Sequence, residues 1–423
     1  MAKIAIIGTG YVGLASAVGF AHLGHEVVGI DIDKAKVAKL SSGQSPIFEK
    51  DIEVFLKKSL KKKKIAFTSD YSKVAGSQFV FLCLPTPQLD DGAADVSFIL
   101  ESTKMLSRHL KKSSTVVIKS TVPVNTWKLV KENINRDDVA VVSNPEFLRE
   151  GTALQDFFKP DRIVVGCTDE VKATEVAKLY KAKKAKVVFT DNTSAEIIKY
   201  ASNSFLAIKL SFVNEIAAYA ESTDANALDV LNAMGLDKRI GKDFLKPGPG
   251  WGGMCFPKDV SALKESAQER NVPIPMLDAA LESNLKAQLR VVKKISDALG
   301  GSLKSKNVCV WGLAFKANTD DTRFSPSISV INLLLKQGAI VKAFDPVVKH
   351  VPHLKIDVTS EIIQSVENAD VIVVLTEWQE FKSIKPEIIE KWVKNKIVVD
   401  SRNLLDKSKW EKNGFRFIGN GYN

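Results

Sequence analysis

The apolar residues of this chain alternate between two regimes, one with the period of buried strands and one with the period of helices. Lys3 to Gly8 is a continuous apolar run closed by glycine, as in a strand covered on both faces, and a helical segment from about Val12 to Leu23 follows it. Gly24 stops that helix, Glu26 to Ile30 reads as the next strand, and Asp31 stands at its end. Further apolar strands are expected at Gln78 to Leu84, Ser114 to Lys119, Val139 to Ser143 and Ile163 to Cys167, with helical or polar stretches between several of them. Such alternation predicts a parallel sheet covered by helices.

Around residue 190 the helical period takes over. Thr193-Ser-Ala-Glu196 has the spacing of a capping box and predicts a helix start, with apolar periodicity continuing to about Ala220. A Gly- and Pro-rich stretch from Leu245 to Pro257 leads into a short helix from Asp259, and a second long helix is expected from Pro275 to Leu299. Leu277, Leu281, Asn284, Leu285, Val292, Ile295 and Leu299 fall largely on one stripe of it. At 1.5 Å per residue it would extend about 37 Å, enough to serve as a spine between two lobes.

Strand-then-helix order returns from Asn307, with NVCVWG, a helix from about Ser327 to Gln337, a strand from Ala339 to Phe344 ending at Asp345, then VIVVLT and KIVVD. The expected fold class is therefore α/β: two Rossmann-like parallel-sheet domains, 1–192 and 301–423, joined by a central helical domain, 193–300, with a long connecting helix. Gly312-Leu-Ala-Phe-Lys316 lacks the glycine spacing found after the first strand, so only one intact dinucleotide site is expected.

Composition narrows the class further. The 423 residues, 45% of them hydrophobic, suffice for large cores and exclude a single small module. The net charge of +11 suits a nucleic-acid binder, a membrane-surface protein or an enzyme for polyanionic small molecules. No apolar run is long enough for a membrane span and the start MAKIAIIGTG has no secretory signature, so a cytoplasmic protein without membrane insertion is expected. The lysine cluster Lys57 to Lys64 reads as a solvated helix end and loop, and no nucleic-acid partner is expected from it. Four dispersed cysteines without a Cys-x-x-Cys give neither a zinc site nor a disulfide framework. The five histidines show no metal or triad arrangement, and no metal is expected.

Candidate chemistry begins at Gly8-Thr-Gly10-Tyr11-Val12-Gly13, which lies between a strand and a helix as a dinucleotide fingerprint requires. Gly8 permits the tight turn, Gly10 lets the backbone approach a pyrophosphate, and Gly13 allows close helix packing. Asp31 can accept hydrogen bonds from an adenosine ribose and would repel a 2′-phosphate, favouring NAD over NADP. Lys36 either reaches the same region or is a solvated helix lysine.

Cys255 stands in Pro247-Gly-Pro-Gly-Trp-Gly-Gly-Met-Cys-Phe-Pro-Lys-Asp259, a glycine-rich loop opening onto a helix. A helix N-terminus and the nearby Lys258 would lower its pKa, so a reactive thiolate is read here, against the alternative of a buried spacer. Lys199 and Asn203, one turn apart, share a helix face and either meet one ligand or are solvated. Glu146 and Glu150 in SNPEFLREG, Thr121 in KSTVP and Thr86 in LPTP follow strands of the first sheet; they line a ligand crevice or form turns.

Taken together, GTGYVG, LPTP, KSTVP, SNPEFLREG, the Lys199/Asn203 helix, GPGWGGMCFPKD and FKANTDDTR resemble the UDP-glucose 6-dehydrogenase family of nucleotide-sugar dehydrogenases over essentially the whole chain. The resemblance implies a four-electron oxidation of a sugar C6 alcohol to a carboxylate with two NAD+ and one water, passing through a thiohemiacetal and a thioester on Cys255. It implies that Lys199 and Asn203 stabilise oxyanion charge, that Asp259 and a water held with Thr121 assist proton transfer, and that Glu146 is the base for thioester hydrolysis. Gly8, Gly10, Tyr11, Val12, Gly13, Asp31, Lys36, Thr86, Thr121, Glu150, Lys258 and Arg323 are its NAD positions. UDP-glucose positions are Phe147, Leu148, Arg149, Glu150, Lys199, Asn203, Phe244, Leu245, Lys246, Pro247, Gly248, Gly252, Lys316 and Arg402. Arg239 would reach a neighbouring subunit in a homodimer or higher homo-oligomer. Phe256-Pro-Lys-Asp259 matches the UDP-glucose branch, whereas Trp251 and Met254 depart from the usual Tyr or Phe and Ser. Oxidation of GDP-mannose or UDP-N-acetylmannosamine, and a noncatalytic NAD-binding scaffold, are the alternative readings.

Overall fold

The computed structural model describes residues 1–182 and 184–422. The chain divides into two compact units, Met1–Ser202 with Ser261–Val272, and Asn203–Val260 with Pro273–Asn423. In the first unit the strands are β1 (Lys3–Ile7), β2 (Glu26–Ile30), β3 (Ile65–Thr68), β4 (Phe79–Leu82), β5 (Thr115–Ile118), β6 (Ala140–Ser143), β7 (Arg162–Gly166) and β8 (Lys186–Thr190). They form one sheet in the order β3-β2-β1-β4-β5-β6-β7-β8. Neighbours are parallel except β6 and β7, which meet at one antiparallel bridge, Ser143 opposite Gly166. That junction departs from the purely parallel expectation, and β3 and β8 are strands the apolar pattern did not mark.

Continuous apolar runs form these strands because both faces are covered. Ile4 and Ile6 of β1, with Phe79 and Phe81 of β4, join one core with Leu14, Val18 and Phe20 of the helix Tyr11–His22. The alternate residues Ala5, Ile7, Val80 and Leu82 join a second core on the other face with Val116 and Ile118. The order reverses direction between β1 and β4, the place where open parallel sheets bind ligands outside the strands' carboxyl ends.

The second unit carries β9 (Asn307–Trp311), β10 (Ile340–Phe344), β11 (Asp357–Val358), β12 (Val371–Val374), β13 (Ile397–Asp400) and β14 (Arg416–Ile418). Its parallel sheet, β11-β10-β9-β12-β13-β14, repeats the order of the first six strands of the other sheet. The helix Pro275–Ala298 places Val291, Val292 and Ile295 in this unit's core. At the position corresponding to Asp31, Asp345 is buried and accepts from the N–H groups of Leu313, Val347 and Val348 and from the indole of Trp378. Both oxygens of Asp345 are thus used by the protein itself.

The helix Asn192–Ser222 does not start on the expected capping box. Asp191 caps it, accepting from the Ser194 N–H at 2.8 Å and the Ser194 hydroxyl at 2.6 Å. Glu196 instead accepts from the N–H groups of Asn125 (2.7 Å) and Trp127 (2.9 Å) where the helix Thr126–Ile134 begins. Those helix-start donors have no partner within their own helix, and Glu196 meets that demand across the fold.

Candidate active site

The glycine turn separates steric from ligand-facing roles. A Cβ on Gly8, which has φ +85°, would lie 2.7 Å from the Cys83 carbonyl oxygen, and one on Gly13 would lie 1.9 Å from the Gly8 carbonyl oxygen. Gly10 has nothing within 4 Å of its would-be Cβ. The helix Tyr11–His22 that follows has no side-chain cap, so its N-terminal N–H groups and dipole are directed at an open face suited to a pyrophosphate. Tyr11 accepts from the Gly151 N–H at 2.7 Å, and Val12 packs against the first core.

Asp31 is held by the Thr9 N–H (2.9 Å), the Thr9 hydroxyl (2.8 Å) and Lys36 Nζ (2.9 Å). Burial acts to raise its pKa, but these donors outweigh burial and hold it below the ordinary aspartate value. Lys36 thus pairs with the carboxylate expected to read the ribose. At the ends of β4 and β5, the Thr86 hydroxyl donates to the Thr121 carbonyl at 2.9 Å, which joins these two expected residues.

After β6 the SNPEFLREG loop places Glu146 beside Lys199, with Oε1 to Nζ 3.0 Å and both side chains 5% exposed. The other carboxylate oxygen accepts from the Leu148 N–H at 2.5 Å. Phe147 lies under the Arg162 guanidinium, 3.7 Å from its ring centre, and 5.4 Å from Lys199 Nζ. Arg149 is paired with Asp156, and Glu150 is half-buried in the turn before Gly151. Two contributions had no sequence signal. Glu49 accepts from the Gly151 N–H (2.8 Å) and the Ala153 N–H (3.0 Å), anchoring the end of this loop. Asn144 donates to the Val164 carbonyl and accepts from Tyr180, while the buried Lys119 ammonium donates to Tyr180 at 2.9 Å.

In the second unit Cys255 is exposed, immediately before the helix Phe256–Gln268, and its carbonyl accepts from the Asp259 N–H at 2.9 Å. The other cysteines differ: Cys83 and Cys309 are buried, with burial pushing each thiol up to about 12, and Cys167 is half-buried. In the first turn of the Cys255 helix, Asp259 is 1% exposed and uses both oxygens: one takes Lys258 Nζ at 2.6 Å, the other Asn203 Nδ2 at 2.6 Å. Lys258, expected at the cofactor, is therefore engaged with a residue expected in proton transfer.

The loop before Cys255 is shaped by close approach. A Cβ on Gly252 would lie 2.0 Å from the Phe324 carbonyl oxygen, and one on Gly248 3.0 Å from Arg402 Nη1. Gly248 donates its N–H to Asn214 at 2.9 Å, and Trp251 exchanges two bonds with Asn284. The Arg402 guanidinium donates to the carbonyls of Leu375 (2.8 Å) and Phe315 (3.2 Å). Phe244 lies 6.4 Å from the Phe256 ring, while the Leu245 side chain is buried with Val213, Ala217 and Leu231. Pro247 is buried, Lys246 is exposed, and Lys316 Nζ lies 5.6 Å from the Phe315 ring centre. Arg323 pairs with Asp321, and Arg239 pairs with Asp237 while remaining 89% exposed.

Among the described residues no helix is long and apolar enough to cross a membrane. Residues 2–184 match the NAD binding domain of the UDP-glucose/GDP-mannose dehydrogenase family, residues 193–286 its central domain and residues 309–407 its UDP binding domain. The chain is 39% identical over 430 residues to a UDP-glucose 6-dehydrogenase from Rickettsia felis, covering 99% of this chain and 96% of that protein. The structure of a UDP-glucose dehydrogenase from Pyrobaculum islandicum superposes with TM-score 0.93 at 35% identity, covering 100% of this chain and 98% of the other. That of a UDP-D-ManNAc dehydrogenase from Pyrococcus horikoshii gives 0.89 at 28% identity, covering 99% of each chain. With its crevice glycines, its paired Glu146 and Lys199 and its exposed cysteine all on matched segments, the chain belongs to the UDP-glucose/GDP-mannose dehydrogenase family and its first region is that family's NAD-binding domain.

Proposed function

We propose that the protein oxidises UDP-glucose to UDP-glucuronate, consuming two NAD+ and one water. The observation that carries the reading is Cys255, exposed at the start of a helix whose first turn holds Asp259 between Lys258 and Asn203. Gly10, open to approach at the start of an uncapped helix, and Asp31, at the end of β2, fit NAD; NAD+, when bound, accepts a hydride from C6 in each oxidation. The first oxidation leaves an aldehyde. The Cys255 thiolate adds to its carbonyl carbon, forming a C–S bond, and the oxygen becomes the hydroxyl of a thiohemiacetal on taking a proton. Loss of the second hydride and of that proton gives a thioester, and water adds to its carbonyl and expels the thiolate, releasing the carboxylate. Covalent capture keeps the aldehyde from escaping between the two oxidations.

The side chains divide this work by charge. Lys199 and Asn203 stabilise the negative oxygen at each addition, and Asp259 with Thr121 moves the proton. Glu146, paired with Lys199, is the base that activates water for hydrolysis. The backbone around Gly248, Gly252 and Arg402 receives the UDP moiety, since small residues and a held guanidinium suit a diphosphate. The reading includes a cytoplasmic homodimer. Phe205, Phe212 and Tyr219, at seven-residue spacing on the helix Asn192–Ser222 and 65%, 47% and 68% exposed, support it as an apolar stripe awaiting cover.

A panel of UDP-glucose, GDP-mannose and UDP-N-acetylmannosamine assayed for NADH tests the substrate. Two NADH per UDP-glucose is the expected yield; turnover of another sugar nucleotide in its place refutes the assignment. Cys255→Ser is expected to bind UDP-glucose yet form no acid, and full acid production by that variant would overturn the thioester route.

A further inference from the structure

The last described residues make contacts that neither the core nor the chemistry above explains. Lys294, on the helix Pro275–Ala298, donates to the Gly419 carbonyl at 2.7 Å and pairs with Glu221 at the end of the helix Asn192–Ser222. Glu221 also accepts from the Gly421 N–H at 2.5 Å, and the Gly421 carbonyl accepts from the Ala227 N–H at 2.7 Å. Gly421 has φ +96°, and a Cβ there would lie 2.6 Å from Ala227 Cβ and 3.2 Å from Ala217 Cβ, so only glycine seats the segment this closely.

The same segment is bonded on its other side to the turn after β13. Asn420 and Asn403 exchange reciprocal bonds, Asn420 N–H to Oδ1 at 2.8 Å and Asn403 Nδ2 to the Asn420 carbonyl at 2.7 Å. Asn420 Nδ2 donates to the Ser401 carbonyl at 3.1 Å. Arg402 lies between these two anchored residues, with its guanidinium against Gly248. Gly248 in turn is held by Asn214, seven residues before Glu221 on the same helix. One helix therefore registers both halves of the diphosphate-facing surface: the glycine loop through Asn214 and the arginine turn through Glu221 and the C-terminal segment.

We infer that Gly419–Tyr422 is a positioning element for the UDP-sugar site, holding the Arg402 turn in register with the Gly248 loop by bridging Glu221, Lys294 and Ala227 to Ser401 and Asn403. The inference rests on the proposed role of Arg402 and Gly248 in receiving UDP. The segment touches no reacting atom. Its loss should weaken the nucleotide and spare the cofactor.

The test uses the full chain with Asn420→Ala and, separately, Lys294→Met, each measured for UDP binding by calorimetry, KM for UDP-glucose, KM for NAD+ and amide exchange at Ala227. Loss of these hydrogen bonds predicts that UDP affinity falls and KM for UDP-glucose rises by about tenfold, with KM for NAD+ unchanged. Gly421→Ala should show the same split. If exchange at Ala227 accelerates, reporting a released segment, while UDP affinity stays at the wild-type value, the positioning role is overturned. A parallel loss of UDP and NAD+ affinity overturns it too, since that marks general destabilisation. Wild-type protein that binds no UDP would overturn the proposed function and this inference together, whereas wild-type binding with unaltered variants removes only the inference.

Discussion

The Glu146–Lys199 pair supports a quantitative test. The two charges are 3.0 Å apart and each side chain is 5% exposed. At an effective dielectric of about 20 their attraction is about 5.5 kcal/mol before the cost of removing both from water. Removing one partner leaves the other charge buried, for which about 3–5 kcal/mol is the expected loss. Lys199→Met and Glu146→Gln should each destabilise the first unit by about that much, whereas the double variant, which buries neither charge, should lose no more than either single variant. The resulting coupling energy is about 3 kcal/mol or more. Of the six tryptophans, Trp127 alone lies in the first unit, so urea unfolding followed by 19F NMR of fluorotryptophan-labelled protein reads that unit by itself. If the double variant's loss equals the sum of the singles within about 0.5 kcal/mol, the two groups do not form a functional ion pair and the reasoning fails.

Two further outcomes follow from the geometry. Gly252→Ala puts a Cβ 2.0 Å from the Phe324 carbonyl oxygen and 2.8 Å from Pro326 Cδ, so the loop must shift; kcat/KM for UDP-glucose is expected to fall at least about tenfold, and wild-type activity in this variant would show the close approach to be dispensable. Burial pushes the Glu196 carboxyl up to about 8 from 4.5, overriding the N–H groups of Trp127 and Asn125. The folded state then holds a proton that the unfolded chain releases, so this stabilisation is present below about pH 4.5 and lost as pH rises through about 8. Glu196→Gln should flatten that part of the stability profile, read by the same Trp127 resonance, and an unchanged slope would refute the assignment to Glu196.

Much of the candidate site was legible because its signals are local. A glycine that must take φ +85°, a helix that must start close to a strand, and a cysteine among glycines all state their constraint within a few residues. The parallel sheets were legible for the same reason, since a strand covered on both faces has to be apolar throughout, as β1 and β4 are. Short strands with mixed or exposed faces, such as β8 and β11, carry no such constraint and went unmarked.

Local pattern along the chain marks which segments cross the cores, where glycine frees the backbone for close approach, and which side chains have the chemistry to act. The partners of those side chains come from the fold. Glu196 serves backbone donors 71 and 69 residues away, Glu49 steadies the loop of Glu146 from 102 residues away, and Glu221 holds the C-terminal segment across 200 residues. The physical reason is that a carboxylate's period and neighbours in sequence specify its burial, whereas the donor it answers is chosen by whichever unpaired N–H or ammonium the fold brings within about 3 Å of it.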